Sequence, residues 1–336
     1  MEETVIVIWW FGYIGSHIVV ELQKRGYEVV VIDDMSNCYE EVGKDIFKIT
    51  WEFPDLYEVD LRYPMNLERI FGFYQNIVWF INAAGFSDVQ ASIQDNFSYY
   101  SNNTTGCINL LNSLIKHNIK NFVFISSAYV YDMLNETLPF KETDKISNYN
   151  PYATSYIMAE TVMKDIVSYY DMNIVSLRCS NVVGSSKDWM IGENQVFGQN
   201  LSRNVLIKWA LESQKVSVYG NNYDTKDWTC VRDFVHVEDV ARACADSFEL
   251  SKIWKLKFEI LNVGTWVPTS VIDFIEAAKE VTGKEINYEF KDARIWEAPQ
   301  IYLDINKIYK KIGWSPQNTL KEALEDAWNF IQNNEV

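Results

Sequence analysis

Residues 4–33 read TVIVIWWFGYIGSHIVVELQKRGYEVVVID and say most about the fold. An apolar run, an amphipathic stretch and a second apolar run follow one another there, which predicts a strand, a helix and a strand. Gly12 and Gly15 lie in the turn that opens the helix, and Asp33 ends the second strand 21 residues after Gly12. A glycine turn followed by an acid at this spacing is the layout of a dinucleotide-binding unit. An ordinary strand–turn–helix unit with a chance acid is the alternative.

Strand and helix patterns alternate through the rest of the first half of the chain. Strands are predicted at 4–8, 28–32, 77–82, 121–126 and 174–178, and helices at 16–25, 102–117 and 152–169. Such alternation builds a parallel sheet that is covered by helices on both faces. We therefore predict an α/β fold, a Rossmann-type doubly wound parallel sheet.

The second half of the chain is less regular. Polar stretches separate helical patterns at 204–212, 237–250, 271–282 and 320–332, and Thr269 is the predicted cap of the third. Polar loops held on a rigid scaffold commonly carry ligand contacts. We predict a cofactor-binding Rossmann domain at 1–178 and a smaller C-terminal α/β domain at 179–336. The second domain mainly binds substrate, and some of its segments return to the first domain.

Composition excludes several classes of protein. The net charge of −16 and the pI near 4.7 argue against binding of nucleic acid or anionic membranes, because both need clustered Lys and Arg. No run of 18 apolar residues and no basic leader is present, so we expect no membrane span and no signal peptide. The cysteines and histidines lack metal-ligand spacing, which predicts no metal site and fits a reducing cytoplasm. They are Cys38, Cys107, Cys179, Cys230, Cys244, His17, His117 and His236.

Two stretches resemble motifs of a known family. The turn WWFGYIGSH at 9–17 is similar to GGAGYIGSH in the UDP-glucose 4-epimerase family of extended short-chain dehydrogenases/reductases. The stretch VYGNNYDTKDWTCVRDFVHVEDVARA at 218–243 is similar to the family's Gly-Asn-Asp-Tyr-x-Thr-x-Asp-Gly-Thr-x-x-Arg-Asp-Tyr-Ile-His-Val. The resemblance implies an NAD-dependent epimerase that oxidises a UDP-hexose at C4, turns the 4-keto sugar over and reduces it again.

The same resemblance implies a role in galactose metabolism and a homodimer. The helices at 102–117 and 152–169 correspond to those that form a four-helix interface in this superfamily. Another sugar-nucleotide epimerase or dehydratase is the enzymatic alternative. A 4,6-dehydratase would need an Asp-Glu pair after Ser127, where this chain has Ala128 and Tyr129.

The resemblance assigns catalytic roles to two hydroxyl side chains. Ser127 in ISSAYVYD and Tyr152 in NPYATSY match the family's serine and the tyrosine of its Tyr-x-x-x-Lys motif, but Tyr156 stands at the lysine position. Residues i and i+4 share one face of a helix, so the motif sets a cation beside the phenol. With an ordinary pKa near 10, about one tyrosine in a thousand is ionised at pH 7. We expect the missing ammonium to lower turnover by roughly 10² to 10⁴.

The resemblance also implies which residues contact the two ligands. Asp33 accepts the adenosine ribose hydroxyls, which favours NAD over NADP, while Arg232 grips the diphosphate and Tyr219 flanks the uracil. The implied cofactor contacts are Gly12, Tyr13, Ile14, Gly15, Asp33, Asn37, Asp60, Leu61, Ala83, Ala84, Gly85, Asn102 and Tyr152. The implied substrate contacts are Ser127, Asn181, Asn200, Leu201, Tyr219, Arg232, Arg294, Glu297 and Tyr302, the last near the position whose bulk tunes acceptance of N-acetylated sugars.

Departures from the family pattern cluster at these ligand-contact positions. Trp9 and Trp10 replace two glycines of the turn, and their indoles either fill part of the dinucleotide slot or swing outward and leave weak NAD binding. Further departures are Trp228 and Trp266 for glycines, Cys179 and Ser180 for an aromatic pair, RIWE at 294–297 for Arg-Pro-Gly-Asp, and Ser87, Gln90 and Ala91 for a lysine, a glycine and a glutamate.

Several explanations of these departures are open. The chain is an active but divergent epimerase, a catalytically impaired pseudoenzyme that keeps the fold without tight NAD binding, or a redesigned scaffold. A fourth explanation concerns the tryptophans alone. Glycine-to-tryptophan changes are what a misread codon gives, if the organism reads UGA as glycine and a translation table reads it as tryptophan. It cannot explain Tyr156, Ser87 or Gln90.

Overall fold

Strands and helices alternate along the chain, as expected for an α/β fold. The computed structural model describes residues 3–9, 12–37, 41–74, 76–133, 137–194, 200–212, 214–253 and 257–334. Its strands are β1 (Thr4–Ile8), β2 (Glu28–Asp33), β3 (Asp55–Glu58), β4 (Ile77–Asn82), β5 (Asn121–Ser127), β6 (Asn173–Cys179), β7 (Asn181–Val183), β8 (Val216–Tyr219), β9 (Val231–Arg232), β10 (Phe234–His236), β11 (Phe258–Val263), β12 (Thr269–Ser270), β13 (Tyr288–Lys291) and β14 (Gln300–Ile301). Its α-helices are α1 (Tyr13–Lys24), α2 (Glu41–Thr50), α3 (Leu67–Phe71), α4 (Val89–Gln94), α5 (Asn96–Tyr99), α6 (Cys107–Lys116), α7 (Pro151–Ile166), α8 (Leu201–Arg203), α9 (Val237–Ile253), α10 (Val271–Thr282), α11 (Asn306–Ile312) and α12 (Leu320–Asn333).

A seven-stranded parallel sheet organises the fold. Its strand order is β11-β6-β5-β4-β1-β2-β3, and its strand pairings are parallel. The chain runs from β1 outward to β3 and then returns to the other side of β1, where β4 starts the second half of the sheet. The strand order therefore reverses between β1 and β4, and α/β folds bind ligands in the crevice beyond the carboxyl ends of strands at such a point. The predicted doubly wound sheet is confirmed.

The residues of β1 show why the sheet has an apolar layer on each face. The strand is buried along its whole length. Ile6 and Ile8 belong to a core formed with α3, α6 and α7, whereas Val5 and Val7 belong to a core formed with α1, α2 and α9. Alternate residues of a strand face opposite sides of its sheet, so a strand that is buried on both faces is apolar throughout.

The second half of the chain adds smaller sheets and a third core. β7 pairs with β10, β9 lies between β12 and β14, and β8 pairs with β13. α10 and α12 contact each other, and Phe274 and Trp328 lie in the core that they share with these strands. β11 extends the main sheet beside β6. The division of the chain at 178/179 stays a prediction.

Helix boundaries differ from the sequence prediction at several places. α1 begins at Tyr13 rather than at residue 16. Parts of the predicted helices at 102–117 and 204–212 are π-helical, over Tyr100–Gly106 and Asn204–Leu211, and apolar spacing does not separate π from α turns. The predicted cap Thr269 was wrong, because the Ser270 hydroxyl accepts the hydrogen bond from the amide of Asp273 at 2.9 Å. Within the described ranges, no helix has the length and apolarity to cross a membrane.

A buried ion pair ties α7 to the sheet. The Glu160 carboxylate accepts hydrogen bonds from the hydroxyls of Ser126 and Ser176, each at 2.8 Å, and from the guanidinium of Arg178, whose Nη2 lies 2.6 Å from Oε2. Both side chains of the pair are at most 5% exposed. The guanidinium also lies over the Tyr131 ring. Since α7 carries Tyr152, this cluster helps to fix the position of the candidate site against β5 and β6.

Removing one member of this pair should destabilise the protein strongly. Glu160→Ala leaves the Arg178 guanidinium buried without its counter-ion, and we expect a loss of roughly 3–5 kcal/mol in the free energy of unfolding. Urea unfolding followed by circular dichroism measures it. The control Glu68→Ala removes an exposed partner of Lys116 and His117 and should cost under about 1 kcal/mol. Equal losses in the two variants would contradict the role given to the buried pair.

Candidate active site

The start of α1 presents backbone donors to the crevice beyond β1. Gly12 is the N-cap of α1 and has an extended conformation, no side chain caps the helix, and the first turn has no acid. Free amides at a helix N-terminus, together with the helix dipole, favour an anion such as a pyrophosphate. The Tyr13 hydroxyl is not part of this surface, because it donates to the carbonyl of Gly184 at 2.6 Å and ties α1 to the second half of the chain.

Trp9 lies in the turn between β1 and α1. Its amide donates to the carbonyl of Ile32 at 2.7 Å, and its φ of 61° is left-handed. Its indole is partly buried against the first core and meets the Phe86 ring edge-on at 5.7 Å. A side chain added at Gly12 would lie 3.5 Å from the indole. Trp9 therefore turns inward and narrows the crevice, while Trp10 lies outside the described residues.

The predicted cofactor residues follow the carboxyl ends of neighbouring strands. Asp33 is buried at the end of β2, one residue beyond the Ile8–Ile32 pair, and its carboxylate accepts from the amide of Met35 at 2.8 Å. The others lie at the start of α1 (Gly12, Tyr13, Ile14, Gly15), after β2 (Asn37), after β3 (Asp60, Leu61), after β4 (Ala83, Ala84, Gly85), in the π-helical stretch before α6 (Asn102) and in the first turn of α7 (Tyr152). The fold thus collects at one edge residues that are far apart in sequence.

Asp60, one of the predicted cofactor residues, forms an ion pair. Asp60 pairs with Arg62 through two nitrogens, at 2.9 and 2.6 Å, and these hydrogen bonds lower the pKa of the Asp60 carboxyl. This pair holds the loop after β3 together with a hydrogen bond that the Asn109 side chain donates to the Leu61 carbonyl at 3.0 Å.

Ser127 and Tyr152 meet at the carboxyl end of β5. Ser127 ends the strand, and the amide of Tyr129 donates to its hydroxyl oxygen at 3.2 Å. Asn150 caps α7 by accepting from the amide of Ala153 at 2.7 Å, so the helix begins at a fixed place and Tyr152 lies in its first turn. Burial raises the pKa of the Tyr152 phenol well above its usual value, and a hydrogen bond from Ser127 opposes part of this rise. The structure therefore places the two predicted residues near each other, and the Tyr152 phenol is less ionised at neutral pH than an ordinary tyrosine.

Tyr156 fills the position beside this pair. Its ring lies one helical turn after Tyr152, with 5.0 Å between the ring centroids, and it also packs against Phe124. It is buried, and its hydroxyl lies so close to Gly85 that any side chain there would collide with it. A neutral phenol that is buried here cannot stabilise a second phenolate. Tyr156 thus occupies space between α7 and the loop after β4, where the motif needs a cation.

Tyr129 connects the hydroxyl pair to the second half of the chain. Its ring lies 6.0 Å from the Tyr152 ring, and the Arg232 guanidinium lies 5.9 Å from its centroid on another side. The sequence prediction treated Tyr129 only as a missing acid. Its place directly after Ala128, two residues beyond Ser127, is the signal that marks it as part of the site.

Four predicted substrate residues form one cluster. Arg232 is buried in β9, where Nη1 donates to the Val231 carbonyl at 2.7 Å and Nη2 to the Glu297 carboxylate. The Arg294 guanidinium lies 3.8 Å from the centroid of the Tyr219 ring, and its Nη1 lies 3.9 Å from Glu297. A diphosphate that binds Arg232 must share this guanidinium with Glu297 or displace it.

The structure places the remaining predicted substrate residues at the ends of short strands and of a short helix. Asn181 begins β7 and is partly exposed. Asn200 caps α8 by accepting from the amide of Arg203 at 3.0 Å, and Leu201 is the first residue of that helix. Tyr302 follows Ile301, the residue of β14 that pairs with Arg232 in β9. Among the residues that the structure describes, no group of His, Cys, Asp and Glu could hold a metal ion.

The doubly wound sheet, the uncapped helix at its switch point and a Ser–Tyr pair at the end of β5 define the short-chain dehydrogenase/reductase class. The model of the NAD dependent epimerase/dehydratase family matches residues 5–264. The chain therefore belongs to that family, and within it the chain resembles the UDP-glucose 4-epimerases.

Individual relatives support this placement along almost the whole chain. UDP-glucose 4-epimerase of Bacillus subtilis is 33% identical over 325 residues, which cover 96% of this chain and 95% of the relative. That of Yersinia enterocolitica is 34% identical, with 96% of each chain covered. The crystal structure of the Bifidobacterium longum UDP-glucose 4-epimerase in complex with NAD⁺ and UDP has a TM-score of 0.94 at 32% identity and covers 99% of both chains.

Placing a cation at Tyr156 should make Tyr152 more acidic. In the variant Tyr156→Lys an ammonium next to the phenol favours the phenolate, and we expect the ionisation midpoint of Tyr152 to fall by roughly 1–3 pH units. Spectrophotometric titration of Tyr156→Lys minus the same titration of Tyr156→Lys/Tyr152→Phe isolates this group. Tyr156→Phe, which adds no charge, should leave the midpoint high. If the ionisation midpoint of Tyr152 is the same in Tyr156→Lys and in the parent protein, the side chains at positions 152 and 156 do not interact.

Proposed function

We propose that this chain binds NAD and a UDP-hexose and interconverts the sugar at C4, slowly, as a divergent sugar-nucleotide 4-epimerase. The observation that carries this proposal is the ring of Tyr129, two residues after Ser127, which lies 6.0 Å from the Tyr152 ring and 5.9 Å from the guanidinium of the buried Arg232. The related Bifidobacterium longum and Stenotrophomonas maltophila enzymes bind NAD together with UDP or a UDP-sugar.

The residues at the switch point fit a dinucleotide at its adenosine end. The uncapped amides of α1 suit the pyrophosphate, and Asp33 at the end of β2 suits the ribose hydroxyls. Two side chains narrow the dinucleotide site, namely Trp9 in the turn before α1 and Tyr156 beside Gly85. When bound, NAD supplies the hydride acceptor and donor for C4 of the hexose.

The chain's own residues handle the substrate and its proton. Tyr152 takes the proton of the C4 hydroxyl, and Ser127 donates a hydrogen bond to the same oxygen. Arg232 holds the diphosphate, so the sugar can turn over about its tether while the 4-keto group stays between the two hydroxyls. Because burial raises the pKa of Tyr152 and no ammonium compensates at position 156, the proton transfer step is slow.

A second candidate function is a UDP-sugar-binding protein without turnover. The observation in its favour is the buried ring of Tyr156, which packs beside Gly85 at the position where the family motif has a lysine ammonium. Filling a site with aromatic rings can stabilise a fold even as it removes chemistry. Both candidates have a UDP-hexose as ligand and a place in galactose metabolism. Both also have a cytoplasmic location, which is supported by the buried free thiols of Cys107, Cys179, Cys230 and Cys244.

Turnover in matched variants separates the two candidates. The purified chain is assayed with UDP-galactose, with UDP-glucose formation coupled to a UDP-glucose dehydrogenase, and its released NAD is quantified by mass spectrometry. We expect retained NAD, measurable turnover, and a gain in kcat of roughly 10² to 10⁴ in Tyr156→Lys.

Two controls accompany this assay. Tyr156→Phe should give no gain in kcat, and Tyr152→Phe in the Tyr156→Lys background should abolish it. Binding of UDP-galactose with no NAD and no turnover in any of these variants would favour the binding protein over the epimerase.

We also propose a homodimer. Apolar side chains are exposed on α5, α6 and α7, where Phe97 is 84%, Ile108 40% and Met158 44% accessible to solvent. α7 contacts both α5 and α6, so these helices lie side by side. Exposed apolar groups on adjacent helices mark a surface for association.

Charge placed on this surface should break the dimer. Multi-angle light scattering at micromolar concentration should give twice the chain mass for the parent protein and the single-chain mass for Phe97→Glu/Met158→Glu. Tyr309→Glu, at an exposed position of α11, should stay dimeric. A parent protein that is monomeric at this concentration would refute the interface.

A further inference from the structure

Six tryptophans have a left-handed backbone. Their φ angles lie between 58° and 63°, at Trp9, Trp51, Trp189, Trp228, Trp266 and Trp296. Met35 and Asn118 are the other non-glycine residues with positive φ in the described part of the chain. Tryptophan supplies only 12 of 336 residues, and a bulky side chain at positive φ is a genuine outlier, whereas asparagine tolerates it. Tryptophan thus holds six of the eight described non-glycine positions with positive φ, and chance does not explain this for so rare a residue type.

Packing of the indoles does not compensate for this conformation. Five of the six side chains are exposed, from 38% at Trp189 to 77% at Trp51. Trp189 makes a hydrogen bond from Nε1 to Asp326 at 3.3 Å, and Trp51 meets the ring of Phe47 at 6.0 Å. Exposed rings with such contacts gain little burial, so neither the backbone nor the core accounts for tryptophan there.

The hydrogen bonds at these positions are those of glycine turns. Trp51 follows the end of α2, and its amide donates to the carbonyl four residues earlier at 2.8 Å. Gly283 after α10 and Gly313 after α11 do the same at 2.9 and 2.8 Å, with φ of 65° and 71°. All three end a helix with the left-handed cap for which glycine is strongly preferred.

Two further positions lie in reverse turns. The amide of Trp189 donates to the Ser186 carbonyl at 2.8 Å, which makes it the fourth residue of its turn, and type I turns favour glycine there. In the second turn, the amide of Glu297 donates to the carbonyl of Arg294, so Trp296 is the third of its four residues. A positive φ at the third residue of a reverse turn favours glycine.

Other tryptophans of the chain behave as ordinary core residues. Trp79 in β4, Trp314 after α11 and Trp328 in α12 are at most 6% exposed, and none has a positive φ. Trp314 also donates its indole N–H to the carbonyl of Asp239 at 3.0 Å. These nine tryptophans thus divide into six with a strained backbone that suits glycine and three whose buried indoles fill the core.

We propose that the polypeptide made in the organism carries glycine at the six left-handed tryptophan positions, because its UGA codons are translated as glycine. This inference concerns the polypeptide itself and does not depend on whether the chain turns over a sugar nucleotide. Trp79, Trp314 and Trp328 are true tryptophans in this account.

Replacing these tryptophans by glycine affects the candidate site both near the predicted cofactor residues and near Arg232. Glycine at 9 removes the indole that lies against Gly12 and Phe86, so backbone can approach a pyrophosphate there. Glycine at 296 relaxes the turn before Glu297, the partner of Arg232. Glycine at 266 frees the segment whose amide contacts Asp233, next to Arg232.

The codons of the gene give the first test. The six left-handed positions should all be encoded by UGA, and Trp79, Trp314 and Trp328 by UGG. UGG at any of the six positions would overturn the assignment there. Peptide mass spectrometry of the protein from its own organism should then find glycine at the UGA positions, and tryptophan in those peptides would refute the proposal.

Recombinant variants from a fully specified synthetic gene test the physical part. We expect the variant with all six positions changed to glycine to melt on the order of 10 °C higher than the tryptophan form. The matched control Trp314→Gly should melt lower, because it empties a buried site. A melting temperature that does not rise in the six-fold variant would contradict the strain argument.

The NAD content of two single variants distinguishes Trp9, near the predicted dinucleotide site, from Trp51, which is remote from it. Trp9→Gly should raise the fraction of chains that retain NAD after gel filtration, as quantified by mass spectrometry of the denatured protein. Trp51→Gly, at the far end of α2, should raise the melting temperature and leave the NAD content unchanged. Equal NAD content in Trp9→Gly and the parent would refute the narrowing of the turn by Trp9.

Discussion

The pairing of β1 with β2 on one side and β4 on the other is the constraint on which the rest of the structure depends. It sets β1 inside the sheet, where helices cover both of its faces, and it places the start of α1, the end of β2 and the end of β4 around one crevice. Most residues that the sequence assigned to the cofactor lie at this edge because a strand ends or a helix begins next to them. The site is therefore a consequence of strand order, and a change in the loops alters its chemistry without disturbing the sheet.

The charges on α7 determine how readily the phenol of Tyr152 ionises in this crevice. The Asn150 cap and the buried Glu160–Arg178 pair hold this helix, which carries Tyr152 and packs against β5, the strand that ends at Ser127. One turn later, a ring stands where the motif has an ammonium. Position and charge are thus separable in this chain, since the scaffold is intact whereas the group that would favour the phenolate is missing.

Backbone conformation adds a second kind of constraint. A left-handed residue other than glycine costs roughly 1–2 kcal/mol, so six tryptophans in that conformation carry strain comparable with the net stability of a typical protein. The fold nonetheless keeps glycine-type turns at these places. The turns are set by the strands and helices that they connect, and the side chain has to accept the conformation.

The sequence by itself determined the α/β class and the course of the main strands, because apolar periodicity follows short-range rules. Its motifs and their resemblance to the epimerase family predicted Ser127, Tyr152, Asp33 and Arg232 as site residues. It also showed that Tyr156 replaces a lysine. Only the tertiary structure decided that Ser270 rather than Thr269 caps α10, that Tyr129 joins the Ser–Tyr pair to Arg232, and that Trp51, Trp189 and Trp296 share the left-handed conformation of Trp9. Contacts between residues far apart in sequence, and the sign of φ in a turn, depend on how neighbouring elements pack, and no local pattern of residue types contains that information.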